Sequence, residues 1–242
     1  MAIPLDMKAS HLPLLLGAIV AAIIDSSAAT VVFNSDLPTS NQLLSYTTVD
    51  SASTYQLRNN STSNRWVGFS FSAPSATKLD TVTLMLQTTS MGAAALGAEI
   101  TISIVSMDTL KSPAIPYSSA VLYSETATIP SAYSSQGYLT IDLATPFQLT
   151  ANERYGVILS FTSAATNRYM NFYLGGANSG GSNDVGYGFY TTDSGASYTA
   201  LAENRVFTFS MQSVPEPKNL SLVVAGMIGV GSIAWLRRKQ CA

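Results

Sequence analysis

The chain has 242 residues, a net charge of −2, only 11% charged side chains, one histidine and one cysteine. So little positive charge leaves no basic stripe for nucleic acid, and a single cysteine cannot build a disulfide framework. The one histidine, His11, falls in an apolar leader, so the rest of the chain lacks the commonest general base and metal ligand. Serine–histidine and cysteine–histidine schemes, and zinc sites built on His or Cys, are thereby excluded.

Lys8 precedes the apolar stretch Leu12 to Ile24, and Ser27-Ala28-Ala29 supplies small residues where a signal peptidase reads. The stretch is too short for an ordinary membrane span, so residues 1–29 are expected to be a signal peptide cut after Ala29. Met7-Lys8 gives a more conventional basic start than Met1 to Asp6, and the start codon stays open between Met1 and Met7.

Residues 30–213 then form one exported body. Between Thr30 and Val214 there are eleven acids and seven bases, and no cysteine; Cys241 lies beyond a basic cluster at the other end. A body of this length can bury about 70% of its unfolded surface and needs no disulfide to hold a core.

Val31, Val32 and Phe33 open the body, and a Ser/Thr-rich region from Ser45 to Ser63 reads as loop with a short strand near Thr54 to Leu57. Regular alternation follows. Val67, Phe69 and Phe71 share one face, then Val82, Leu84 and Leu86, then Ile100, Ile102 and Ile104, each with small or polar residues between. Met91 to Ala98 is the one ambiguous helical stretch. Val121 to Thr126 reads as an edge strand, Pro130 and Gly137 bracket a turn, and Leu139, Ile141 and Leu143 alternate before Pro146, which is expected to end the run.

Asn152 marks a turn, and Tyr155 opens the alternating set Val157, Leu159 and Phe161. This passage, leucine then polar turn then tyrosine then alternating apolar residues, resembles one in the extracellular sandwich modules called choice-of-anchor domains, over Trp66 to Leu174. Many secreted sandwiches also place a tyrosine at a strand entrance, where the ring packs and the hydroxyl meets backbone.

Met170, Phe172 and Leu174 alternate next. Gly175 to Gly195 is a glycine-rich excursion carrying Tyr187, Phe189 and Tyr190, and Val206 to Met211 closes the body as a strand. Strands separated by polar turns, without amphipathic helices between them, predict an all-β fold, a jelly-roll-like β-sandwich ectodomain.

Catalytic residues are not expected. Asp80, Glu99, Asp108, Glu125, Asp142, Glu153 and Glu203 could in principle supply a glycosidase pair, but scattered acids read more simply as a solvated surface. No cofactor is implied. Asn178, Asn183, Asp184 and Asp193 carry oxygens without the spacing of a calcium loop, so no metal site is expected. Asn59-Asn60-Ser61-Thr62 matches overlapping glycosylation patterns, which mean nothing without the transferase.

The last stretch, residues 214–242, has three blocks. Pro215-Glu216-Pro217 disfavours helix and leaves an extended tether; Leu220 to Leu236 is an uncharged apolar run; Arg237-Arg238-Lys239 ends it. A helix over residues 220–236 would be about 25 Å long at about 1.5 Å per residue, nearly enough for a bilayer core of about 30 Å. Trp235 suits the interface, and the basic cluster is expected to stay cytoplasmic, putting the body outside.

These three blocks in this order resemble the PEP-CTERM sorting signal of Gram-negative and related bacteria. The resemblance implies recognition of Pro215, Glu216 and Pro217 by an exosortase, a membrane-embedded transpeptidase, with Arg237, Arg238 and Lys239 as the stop. It also implies passage through an inner-membrane intermediate to the cell surface or extracellular matrix. An ordinary C-terminal anchor behind a proline-rich linker would share the same blocks.

The leading function is a non-enzymatic exported surface or matrix protein, whose processing partners would be signal peptidase and exosortase. A second reading is a carbohydrate-binding module for exopolysaccharide. There Asp184, Tyr187, Tyr190 and Asp193 are the candidate ligand residues, with Phe189 and Tyr198 adding stacking rings.

Overall fold

The computed structural model describes residues 28–108, 115–133, 137–181 and 184–214. Thirteen strands follow one another: β1 (Thr30–Asn34), β2 (Gln42–Tyr46), β3 (Asp50–Asn60), β4 (Ser63–Ser72), β5 (Thr77–Met91), β6 (Glu99–Asp108), β7 (Ile115–Thr128), β8 (Tyr138–Leu149), β9 (Arg154–Phe161), β10 (Tyr169–Leu174), β11 (Val185–Thr191), β12 (Thr199–Ala200) and β13 (Phe209–Ser213). Among the described residues there is no α-helix. The ambiguous Met91 to Ala98 stretch supplies the end of β5 and one 3₁₀ turn, Ala93–Ala95.

All strand pairs are antiparallel and belong to one open sheet that bends back on itself. One run of neighbours is β1, β8, β5, β13, β2; the other is β7, β6, β9, β4, β11, β12. β10 joins them, pairing with the far half of β5 and with β3, which continues into β4 through a tight hairpin. The arrangement is consistent with a β-sandwich. Phe69 of β4 and Phe209 of β13 come from different runs, yet their rings stack at 4.2 Å.

The period-two pattern explains the core. Val67, Phe69 and Phe71, Val82, Leu84 and Leu86, Ile100, Ile102 and Ile104, Leu139, Ile141 and Leu143, and Met170, Phe172 and Leu174 all lie buried in one cluster. Each such side chain contributes about 1.5–3 kcal/mol when fully buried. β13 lies between β2 and β5, and Ser210 in it and Thr208 just before it are buried with their apolar neighbours. Their hydroxyls are satisfied: Thr208 donates to the Thr48 carbonyl, and Ser210 accepts from Gln42.

Three expectations change. The Ser/Thr-rich region, Ser45 to Ser63, holds the end of β2 and all of β3, because polar residues suffice where a strand has a partner on each side or lies at an edge. Pro146 does not end its run: β8 continues to Leu149, and the proline falls beside the register shift where β8 slips against β5. Proline has no N–H to lose at an irregularity. Nearby, the Ala144 N–H turns out of the ladder to the Glu125 carboxylate, 3.0 Å away. Finally, the glycine-rich excursion contains β11.

Tyr155 sits where the sequence places it. Asn152 takes a φ of 65° in the turn, and the Tyr155 hydroxyl accepts the Thr150 N–H at 2.9 Å, while the ring packs against Phe71 and Phe147.

Candidate functional site

The glycine-rich excursion is anchored backbone to backbone. Gly175, Asn178 and Gly180 donate N–H groups to the carbonyls of Val206, Glu203 and Asn204, and the buried Ser179 hydroxyl accepts the Val206 N–H. Arg205 clamps the same region, reaching Asp50 at 2.7 Å and Glu203 at 2.6 Å. The Arg205 guanidinium, with the Ser53 hydroxyl, holds the Asp50 carboxyl below the usual carboxylate range.

β11 then enters beside β4 with a bulge. Val185 pairs with Phe71 and Gly188 with Phe69, so Gly186 and Tyr187 together oppose Ser70. The Ser70 hydroxyl fills the gap, accepting the Tyr187 N–H at 2.8 Å and donating to the Tyr187 carbonyl. A Cβ on Gly186 would stand 2.1 Å from that hydroxyl, which is why only glycine fits.

The bulge sets which rings face where. Tyr187 lies against Gly181, whose φ of +79° also calls for glycine. Phe189 is fully buried on the outer face, its ring over Gly68 of β4 and Gly156 of β9, and it anchors a small second core with Val105, Met107 and Ile158. Trp66 and Tyr198 pack on that core, Tyr198 edge-on to Phe189 at 5.7 Å. Tyr190 turns to the opposite face and meets Tyr55 of β3 at 5.2 Å.

The two acids of the candidate set also differ in surroundings. Asp184 stands at the entrance of β11, where its carbonyl accepts the Ser72 N–H. The Asp193 carboxylate closes its own loop, taking the Ser197 N–H at 3.0 Å and hydroxyls from Ser197 and Thr191. Those hydrogen bonds, Ser197 foremost, hold its carboxyl down at about 2. Asp184, Tyr187, Tyr190 and Asp193 share no hydrogen bond or ring contact with one another.

Other acids singled out in the sequence also have neighbours within the fold. Asp142 accepts from Thr81 at 2.8 Å, Glu99 from Thr162, and Glu203 from Arg205. Burial, with Asp142 nearby, raises the Asp80 carboxyl. No group of three or more His, Cys, Asp or Glu among the described residues could hold a metal ion. Asn60 of the glycosylation-like run uses its Oδ1 to accept the Thr62 and Ser63 N–H groups, closing the β3–β4 hairpin.

That hairpin holds a feature the sequence did not announce. Arg58 and Arg65 are direct cross-strand partners. The Arg65 guanidinium carbon lies 4.8 Å over the Tyr55 ring and 5.6 Å from that of Tyr190. Burial pushes the Tyr55 hydroxyl up to about 12 despite the nearby cation. The polar turn centred on Ser61-Thr62, with an arginine at equal distance on either side, is the sequence signal that could have found the pair.

Ala29, the expected cleavage point, is buried, beside a surface notch of about 390 Å³ lined by Ala28 to Val31, Glu99 and Thr126 to Thr128. The sorting motif Pro215-Glu216-Pro217, the apolar run, the basic cluster and most of the leader lie outside the described residues. Among the described residues no helix is long and apolar enough to cross a membrane. Compared with known proteins, the chain matches no protein family, no curated protein and no solved structure.

Proposed function

We propose that this chain is an exported bacterial surface or extracellular-matrix protein without enzymatic activity, sorted and processed by an exosortase through its C-terminal signal. The observation that carries the proposal is the order of the three tail blocks: Pro215-Glu216-Pro217, the uncharged run Leu220 to Leu236, and Arg237-Arg238-Lys239. The run holds the chain in the bilayer, the basic cluster arrests further export, and the prolines present an extended backbone just outside, where an embedded peptidase can act.

The body suits that role as a jelly-roll-like β-sandwich ectodomain. It is all-β, free of cysteine, and uses several of its acids, Glu125, Asp142 and Asp193 among them, as hydrogen-bond acceptors within the fold, which supports a structural or binding role over turnover. Ala29 is buried against the body, so signal peptidase would reach its bond before folding completes.

The test is Glu216→Ala in a host with a matching exosortase. The variant should stay in the inner membrane at full length while the wild type moves to the surface. Identical processing of both would reject sorting by this motif, and retention of both would leave a plain membrane-anchored protein.

A further inference from the structure

We propose that Arg58, Arg65, Tyr55 and Tyr190 form a binding site for a carboxylated sugar, a uronic-acid residue of an acidic polysaccharide. This goes beyond the sorting proposal and does not depend on the tail.

The alternation that turns Val67, Phe69 and Phe71 into the core also places Arg65, the next residue of that phase, toward the inside at the end of β4. It stands where β3 and β11 part, between Tyr55 and Tyr190. Arg58, directly opposite, brings a second guanidinium. Two like charges as cross-strand partners repel each other. Among the described residues no carboxylate pairs with either: Arg58 donates to the Gln56 side-chain oxygen at 3.4 Å, and Arg65 lies over the Tyr55 and Tyr190 rings. Arg205, by contrast, has two carboxylates of its own.

A further sign lies in unmet polar groups. Among the described residues the buried side-chain nitrogen and oxygen atoms without a hydrogen-bond partner include Arg58 Nε and Arg65 Nε; the others, Asn64 Oδ1 and Trp66 Nε1, belong to the opposite face of β4, where Trp66 packs on the Phe189 core. Buried polar groups are rarely left without partners, and the two on facing arginines call for an explanation.

The chemistry that answers the two arginines is an anion with a ring attached. A carboxylate between two guanidinium forks takes charge-assisted, bidentate hydrogen bonds. Tyr55 and Tyr190 hold the Arg65 guanidinium against their rings, and their hydroxyls suit the hydroxyls of a pyranose. The body carries more acids than bases, so an acidic polymer is repelled elsewhere and held only where arginines are concentrated.

The experiment is calorimetric titration of the full chain, in a mild non-ionic detergent, with trigalacturonic acid. Neutral galactotriose, a short poly-glutamate peptide and sodium sulfate serve as comparison ligands. Trigalacturonic acid should bind, weaken as salt rises, and lose at least about tenfold in affinity with Arg65→Gln or Arg58→Gln. Lys78→Gln, on exposed β5 surface, should leave binding unchanged. Arg58→Gln should also keep or raise the thermal midpoint, because it removes a repulsion; a large fall would show a purely structural arginine and overturn the proposal. Equal binding of galactotriose, of the peptide or of sulfate would overturn the sugar-carboxylate assignment, as would failure of trigalacturonic acid to bind the wild type.

Discussion

Phe69 of β4 stacks on Phe209 of β13 with ring centroids 4.2 Å apart and planes 20° from parallel. Both rings are buried, and they tie together strand runs that share no direct ladder at that point. Replacing Phe69 or Phe209 by alanine should therefore cost about 3–5 kcal/mol, the range for a large aromatic removed from a packed core. Urea unfolding of each variant checks it. A loss below about 1 kcal/mol would mean that the two faces do not meet through these rings.

Tyr155→Phe isolates one hydrogen bond. The hydroxyl accepts the Thr150 N–H at 2.9 Å at the entrance of β9, and removing it leaves that donor without its partner. A cost of about 1–3 kcal/mol is expected, with the ring packing against Phe71 and Phe147 retained. Equal stability of Tyr155→Phe and wild type would show that water replaces the hydroxyl without loss.

Gly68→Ala and Gly156→Ala probe the Phe189 lid. The added Cβ would stand 2.6 Å from the Phe189 ring at position 68, and 2.3 Å from the Val157 carbonyl oxygen. At position 156 it would meet Met107 and Val105 at under 3 Å. Overpacking of this kind costs about 1–3 kcal/mol. The position 68 change should be the worse, since backbone yields less than the end of a methionine. Near-ultraviolet circular dichroism should report displaced aromatic packing around Trp66 and Tyr198. A Gly68→Ala variant as stable as wild type would contradict this packing.

The Asp193 loop gives a pH dependence of known sign. Its carboxyl is held at about 2 in the folded protein against an ordinary 3.8, so the unfolded chain takes up a proton first as the solution is acidified. The stabilisation is complete above the unfolded value and is lost as pH falls from about 4 toward 2. Asp50, lowered by Arg205 and Ser53, acts in the same direction. Thermal midpoints measured across that window should fall less steeply for Asp193→Asn than for wild type. Parallel curves would mean that the Ser197 and Thr191 contacts do not persist in solution.

Much of the fold is legible in the sequence because half-buried strands write their pattern with period two, as Ile100-Ile102-Ile104 and Leu139-Ile141-Leu143 do. Where burial is two-sided or polar, the pattern fails. β11 hides among glycines that exist because Ser70, Tyr187 and Leu201 come so close, and β3 is written largely in Ser, Thr and Asn. The ring arrangement around β11 was hidden for a different reason. A one-residue bulge at Ser70 sets the side chains of Tyr187, Phe189 and Tyr190 in different surroundings, and bulges leave no periodic trace. The Arg58–Arg65 pair needed the hairpin register, which Asn60 fixes through its turn hydrogen bonds.

Export and tail processing are tested most directly by the intact mass of the mature protein recovered from the surface of a host with a matching exosortase. Sorting predicts a chain that begins at Thr30 and lacks Leu220 to Ala242. A wild-type chain recovered from the membrane with Arg237, Arg238 and Lys239 still attached would contradict it.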